Sequence, residues 1–119
     1  MKIINAQLLK EMLISGANNL YNKYPEIDAL NVFPVPDGDT GMNMNLTLSS
    51  GAKEIMYRND DNAFVIATTF SKGLLMGARG NSGVITSQIF RGFALSLENK
   101  TELNVVDFAE AFYNGSQVA

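Results

Sequence analysis

The chain has 119 residues, enough for one small domain and too few for two. Apolar residues make up 46% of it and charged residues 18%, below the about 25% of an average soluble domain. A net charge of −3 gives no clustered cations for a nucleic-acid partner, and the absence of Cys and His excludes disulfides, thiolate chemistry and the commonest general base. Any bound metal is therefore expected to be hard and oxygen-ligated: magnesium, calcium or manganese.

Residues Met1 to Gln7 lack the apolar core of a signal peptide. No apolar run approaches the ~18 residues of a membrane span. The expectation is a soluble cytoplasmic protein. Asn5 reads as a helix N-cap, after which Leu8, Leu9, Met12, Leu13, Gly16, Ala17, Leu20 and Tyr24 follow helical spacing. Pro25 is expected to end this helix. Asn31 to Pro36 is expected to be extended, because each proline disfavours the helical conformation in its predecessor. A second helix is predicted from Asp39 or Thr40 to Tyr57, with Leu46, Ala52, Ile55 and Met56 facing the core. After a polar turn, Asp61 or Asn62 caps a third helix running to Met76. Gly77 to Gly83 is a glycine-rich loop, and the helix after it carries Val84, Ile85, Ile89, Phe93 and Leu97 as its apolar stripe. Thr101 to Asn104 precede a fifth helix with Val105, Phe108, Ala109 and Phe112. No strong alternating strand pattern is present. The fifth helical pattern is still running near Ala119, without a cap, so the domain reads as cut within an element.

Two loops can carry chemistry. In Pro36-Asp37-Gly38-Asp39-Thr40-Gly41-Met42-Asn43, two carboxylates separated by one glycine can converge on one or two cations. If Thr40 to Asn43 open a helix, their N–H groups point at the same place and can hold phosphate. The competing readings are a common turn with Asp39 or Thr40 as a plain N-cap, or a phosphorylatable Asp. A calcium EF-hand is rejected, because Met42 and Leu48 stand where its glycine and final Glu belong. In the second loop, Gly80, Asn81, Ser82 and Gly83 can wrap a phosphate, with the Ser82 hydroxyl as an added donor. The competing reading is an ordinary helix–helix connection. Arg79 can contact a phosphate or simply complement a helix dipole. The loop is neither a Walker A sequence, lacking its Lys, nor a dinucleotide fingerprint, lacking its spacing and preceding strand.

Together, Ala29 to Asn45 and Gly77 to Gln88 resemble the two signature segments of the DhaL-type ATP-binding domain of the dihydroxyacetone kinase family, in the branch that includes bacterial fatty-acid kinases. The resemblance implies an all-α fold: an antiparallel helical barrel or bundle of eight helices, of which this chain would hold about five. It implies ATP or ADP and two magnesium ions as cofactors. By position, Asp37 and Asp39 correspond to metal-binding aspartates, with Asn31 nearest to a third. Thr40, Gly41, Asn43, Gly80, Asn81, Ser82 and Gly83 match nucleotide contacts. The family transfers phosphate from ATP to an acceptor held on a partner protein. In the fatty-acid kinase branch that partner binds a fatty acid and the product is an acyl phosphate; dihydroxyacetone is the alternative acceptor. An inactive fragment or interaction module of the same fold is the other alternative. A barrel missing part of its wall is expected to expose apolar surface and to be marginally stable unless it self-associates as a homo-oligomer.

Overall fold

The structure, a computed structural model, describes residues 2–30 and 39–118. Among them are a two-residue strand β1 (Ile3–Ile4), helices α1 (Ala6–Ala29), α2 (Thr40–Ile55), α3 (Ala63–Gly77) and α4 (Gly80–Ser96), a second strand β2 (Leu103–Asn104) and helix α5 (Val105–Val118). The fold is all-helical, as expected. The antiparallel ribbon pairs Ile3 with Asn104 and Ile4 with Leu103, tying the start of α1 to the start of α5. Strands of two residues are too short to leave an alternating pattern, which is why the sequence does not announce them.

Polar side chains fix where the helices begin. Asn5 Oδ1 accepts the Leu8 N–H at 2.8 Å, and Asn62 Oδ1 accepts the Phe64 N–H at 2.9 Å. At α5 the capping is reciprocal: Asp107 N–H donates to Asn104 Oδ1 at 2.8 Å, and Asn104 N–H donates to Asp107 Oδ2 at 3.1 Å.

Two expectations are corrected. First, α1 does not stop at Pro25 but continues to Ala29 with the proline inside it. An interior proline costs about 3 kcal/mol in lost hydrogen bonding and ring clash. The turn beyond it offsets this, because Ile27 and Asp28 are half-buried against α2 and Asp28 bonds to its backbone. Second, Leu46 and Met56, expected to face the core, and Val84 and Ile85 of the expected apolar stripe are exposed, as are Leu8, Met12, Val105 and Ala109 of the helical patterns. The faces buried instead are built partly of small residues: Gly51 and Ala52 on α2, Gly83, Thr86 and Ser87 on α4, Ala111 and Gly115 on α5. Small residues let helix backbones approach closely, and a hydrophobicity pattern does not register them.

The core itself contains Leu9, Leu13, Ile55, Ile66, Phe70, Leu74, Phe93, Leu97 and Leu103. Phe70, Phe90, Phe93, Phe108 and Phe112 form a continuous aromatic cluster linking α3, α4 and α5, with ring centroids 4.6 to 5.8 Å apart and mostly edge-to-face. Helix α2 packs against α1, α3 and α4. The Ser50 hydroxyl of α2 donates to the Gly73 carbonyl of α3 at 2.8 Å. This central position brings the start of α2 beside the start of α4.

Candidate functional site

The two segments singled out in the sequence meet at these helix starts. Ser82 Oγ, in the first turn of α4, donates to the Thr40 carbonyl, in the first turn of α2, at 3.1 Å. A second link lies one layer deeper. Thr47 Oγ1 donates to the Asn43 carbonyl at 2.8 Å and accepts the Arg79 N–H at 3.2 Å. Gly83 is buried against the same Thr47.

The second glycine-rich segment is tighter than a loop. Only Ala78 and Arg79 separate α3 from α4, and Gly80 to Gly83 are already its first turn. Gly80 has φ +64°, a left-handed conformation that side chains disfavour. A Cβ on it would also come within 2.5 Å of Asn43 Nδ2. Glycine is required here on both counts, because the Asn43 amide occupies the space a side chain would fill.

The two helix starts differ electrostatically. At α2 the cap comes from Asp28, in the last turn of α1. Its Oδ1 accepts the Gly41 N–H at 2.5 Å, and its two oxygens lie 3.3 and 3.2 Å from the Met42 nitrogen. Asp39 stands at the N-cap position, and its carbonyl accepts the Asn43 N–H at 2.9 Å. At α4 the N-cap position is Arg79, which makes no side-chain cap bond, and no acidic residue stands in the first turn. A helix N-terminus carries about half a positive charge on its free N–H groups. At α2 a carboxylate answers that charge; at α4 no side chain among the described residues is seen to cap it, and such a terminus suits an anion.

Of the residues read from the sequence, Thr40, Gly41, Asn43, Gly80, Ser82 and Gly83 are brought together. Asn81 is exposed on the same first turn of α4, and Asp39 is exposed at the start of α2. Asn31 and Asp37 lie outside the described residues, as does the extended segment expected before Asp37. Among the described residues no group of three or more potential metal-ligating side chains is found. Asp28 and Thr47 were not singled out. Ending the first helix at Pro25 removed any reason to place Asp28 near Gly41. Thr47 had a usable signal, since Thr40, Asn43 and Thr47 fall on one helical face by their spacing.

The donors fit the groups the resemblance implies. The chain offers carboxylate, amide and hydroxyl oxygens and has no thiolate or imidazole ligand, which suits magnesium. The first turn of α4, where the Arg79 side chain makes no cap bond and Gly80 carries no side chain, suits a phosphate.

The geometry defines an all-helical domain in which two helix N-termini, those of α2 and α4, are joined at one end. The sequence profile of the DAK2 domain matches residues 34–119, and the chain belongs to that family of dihydroxyacetone-kinase-related domains. It is 54% identical over 116 residues to an uncharacterised protein of Staphylococcus epidermidis and 53% identical over 116 residues to an uncharacterised protein of Staphylococcus aureus. It is 50% identical over 118 residues to Protein YloV of Bacillus subtilis. These alignments cover 98%, 98% and 99% of this chain, but only 21% of each relative. The chain thus spans about a fifth of the length of the relatives it matches.

Proposed function

We propose that the chain is the nucleotide-binding part of a phosphotransferase that uses ATP and magnesium. The observation that carries this reading is the Ser82–Thr40 hydrogen bond, because it joins both phosphate-type segments at a single place. The backbone N–H groups of Gly80, Asn81 and Ser82 bind the phosphate oxygens, and Asn43 and the Ser82 hydroxyl orient them. Asp37 and Asp39, with Asn31, hold the magnesium ions. Magnesium, when bound, offsets the negative charge of the phosphates. Transfer of the terminal phosphoryl group breaks its bond to the ADP oxygen and forms one to an acceptor oxygen. That step needs positioning and charge neutralisation more than a proton acceptor, so a chain without His is suited to it.

The acceptor sits on a partner protein. A fatty-acid-bearing partner is favoured over one carrying dihydroxyacetone, because the segment Val32-Phe33-Pro34-Val35-Pro36 before the aspartates resembles the fatty-acid kinase branch. Use of ATP would place the protein in the cytoplasm; among the described residues no helix is long and apolar enough to cross a membrane. The chain covers a fifth of its relatives, so nucleotide binding is the activity assigned to these residues, and turnover belongs to the longer protein.

Calorimetry tests the reading. The chain should bind ATP with magnesium, lose that binding when the metal is chelated, and lose it in an Asp37→Ala, Asp39→Ala variant that keeps its helical circular dichroism. Equal binding by both proteins would overturn the metal assignment, and no binding by either would overturn the function.

A further inference from the structure

A second feature lies on the outer side of α3 and α4. The 15 residues of α3 and the 17 of α4 contain one ionisable side chain each, Lys72 and Arg91. Both are cations, in a chain of net charge −3, and both line the same groove between the two helices. Neither takes part in a hydrogen bond or ion pair among the described residues. The groove is apolar between them, with Phe64, Leu75, Ala94 and Leu95 along it. Leu75 and Leu95, 64% and 55% exposed, both flank this one depression.

The shape decides what class of ligand this suits. The groove is half-open and encloses about 220 Å³. Small-molecule sites are typically enclosed and run from about 300 to 1,000 Å³. An open apolar strip between two helices, bordered by charge, is instead the shape that receives a third helix. The two cations set the sign of that helix. Arg91 can pair with a carboxylate through two parallel N–H donors, and Lys72 can pair as a point charge.

We propose that the α3–α4 groove docks an acidic amphipathic helix of a partner polypeptide. Its apolar residues seat over Leu75 and Leu95, and its carboxylates pair with Lys72 and Arg91. Along α4, Arg91 lies about 16 Å from Gly80 at a rise of about 1.5 Å per residue. The groove lining does not include Thr40, Gly80 or Ser82, and this inference does not rest on the nucleotide reading.

The test uses the whole chain and a labelled 14-residue helical peptide, with Leu on one face and Glu at i, i+4 spacing beside it. Fluorescence anisotropy should report saturable binding without ATP or magnesium, weakening as salt is raised. Amide shifts should fall on α3 and α4. Lys72→Glu with Arg91→Glu should weaken binding at least tenfold, and Leu75→Ser with Leu95→Ser should do the same. These side chains are exposed, so the helical circular dichroism should survive. Lys53→Glu, an exposed cation on α2, should leave affinity within twofold. A peptide with Lys in place of Glu should not bind. Absence of saturable binding, equal binding of the Lys peptide, or an affinity unmoved by the charge reversals would overturn the proposal. So would octyl sulfate saturating the groove while the peptide does not, since that would mark a small-amphiphile site.

Discussion

The carboxylate of Asp28, in the last turn of α1, accepts the backbone N–H of Gly41, in the first turn of α2, at 2.5 Å. Two of the N–H groups that a helix start leaves unpaired, those of Gly41 and Met42, are thereby satisfied from another helix. The contact also explains why α1 persists past Pro25, since only a continued helix delivers Asp28 to this point. Gly41 permits the approach: a Cβ there would lie 2.6 Å from the Tyr24 carbonyl oxygen. Asp28→Ala should cost about 1 to 2 kcal/mol, the range of a lost helix cap. Asp28→Asn, which keeps an acceptor oxygen, should cost less. Thermal unfolding followed by circular dichroism measures both. An alanine variant as stable as the parent would show that this cap contributes nothing.

Gly80 offers a test that separates two causes of strain. Alanine there meets the left-handed backbone at φ +64°, a cost of about 1 to 2 kcal/mol, and also the Asn43 amide. Asn43→Ala removes the second obstacle and not the first. Gly80→Ala should therefore cost less in an Asn43→Ala background than in the parent, by about 0.5 kcal/mol or more in a double-mutant cycle. Strictly additive denaturation free energies would show that the side chain of Asn43 does not bar a Cβ at Gly80.

Much of this was legible in the sequence because it rests on local chemistry. Asn5 and Asn62 announce their helices, since a capping side chain bonds to a backbone only two or three residues away. The glycine-rich segments announced the candidate site, because positive φ and close approach leave few other choices. What stayed hidden depends on neighbours distant in sequence. Val84 and Ile85 looked like the buried stripe of α4, yet Gly83, Thr86 and Ser87 are buried there, on the side where Gly83 meets Thr47 of α2. Proline's local cost predicted a helix end at Pro25. The compensation from Asp28 reaches across 13 residues and has no local trace.

The Ser82–Thr40 link should matter twice. Ser82→Ala removes a hydrogen bond between helices and should cost about 0.5 to 1.5 kcal/mol of stability. Under the proposed function it should also weaken magnesium–ATP binding several-fold, because it loosens the register between α2 and α4. Ser87→Ala is the control. Its hydroxyl donates to the Val84 carbonyl within the same helix at 2.7 Å, so its loss should affect stability alone. Calorimetric affinities that fall equally for both variants would mean that the link has no specific role at the site.

Acid should loosen the start of α5 before the rest. Lys100 Nζ donates to Asp107 Oδ1 at 2.8 Å, and this bond, followed by the one from the Asn104 N–H, holds the Asp107 carboxyl below its usual range. The folded state therefore favours the ionised form. The resulting stabilisation is fully present above the unfolded carboxyl value of about 3.9, and it is lost as pH falls through the lower folded value. Asp107→Asn lacks this titration while keeping an oxygen for the Asn104 N–H. The variant should melt below the parent between pH 5 and 7 and converge with it as the pH drops below about 4. Because the ion pair is partly exposed, the gap should also narrow in high salt. A gap that stayed constant through the acid range would mean that the ionised carboxylate gains nothing from Lys100.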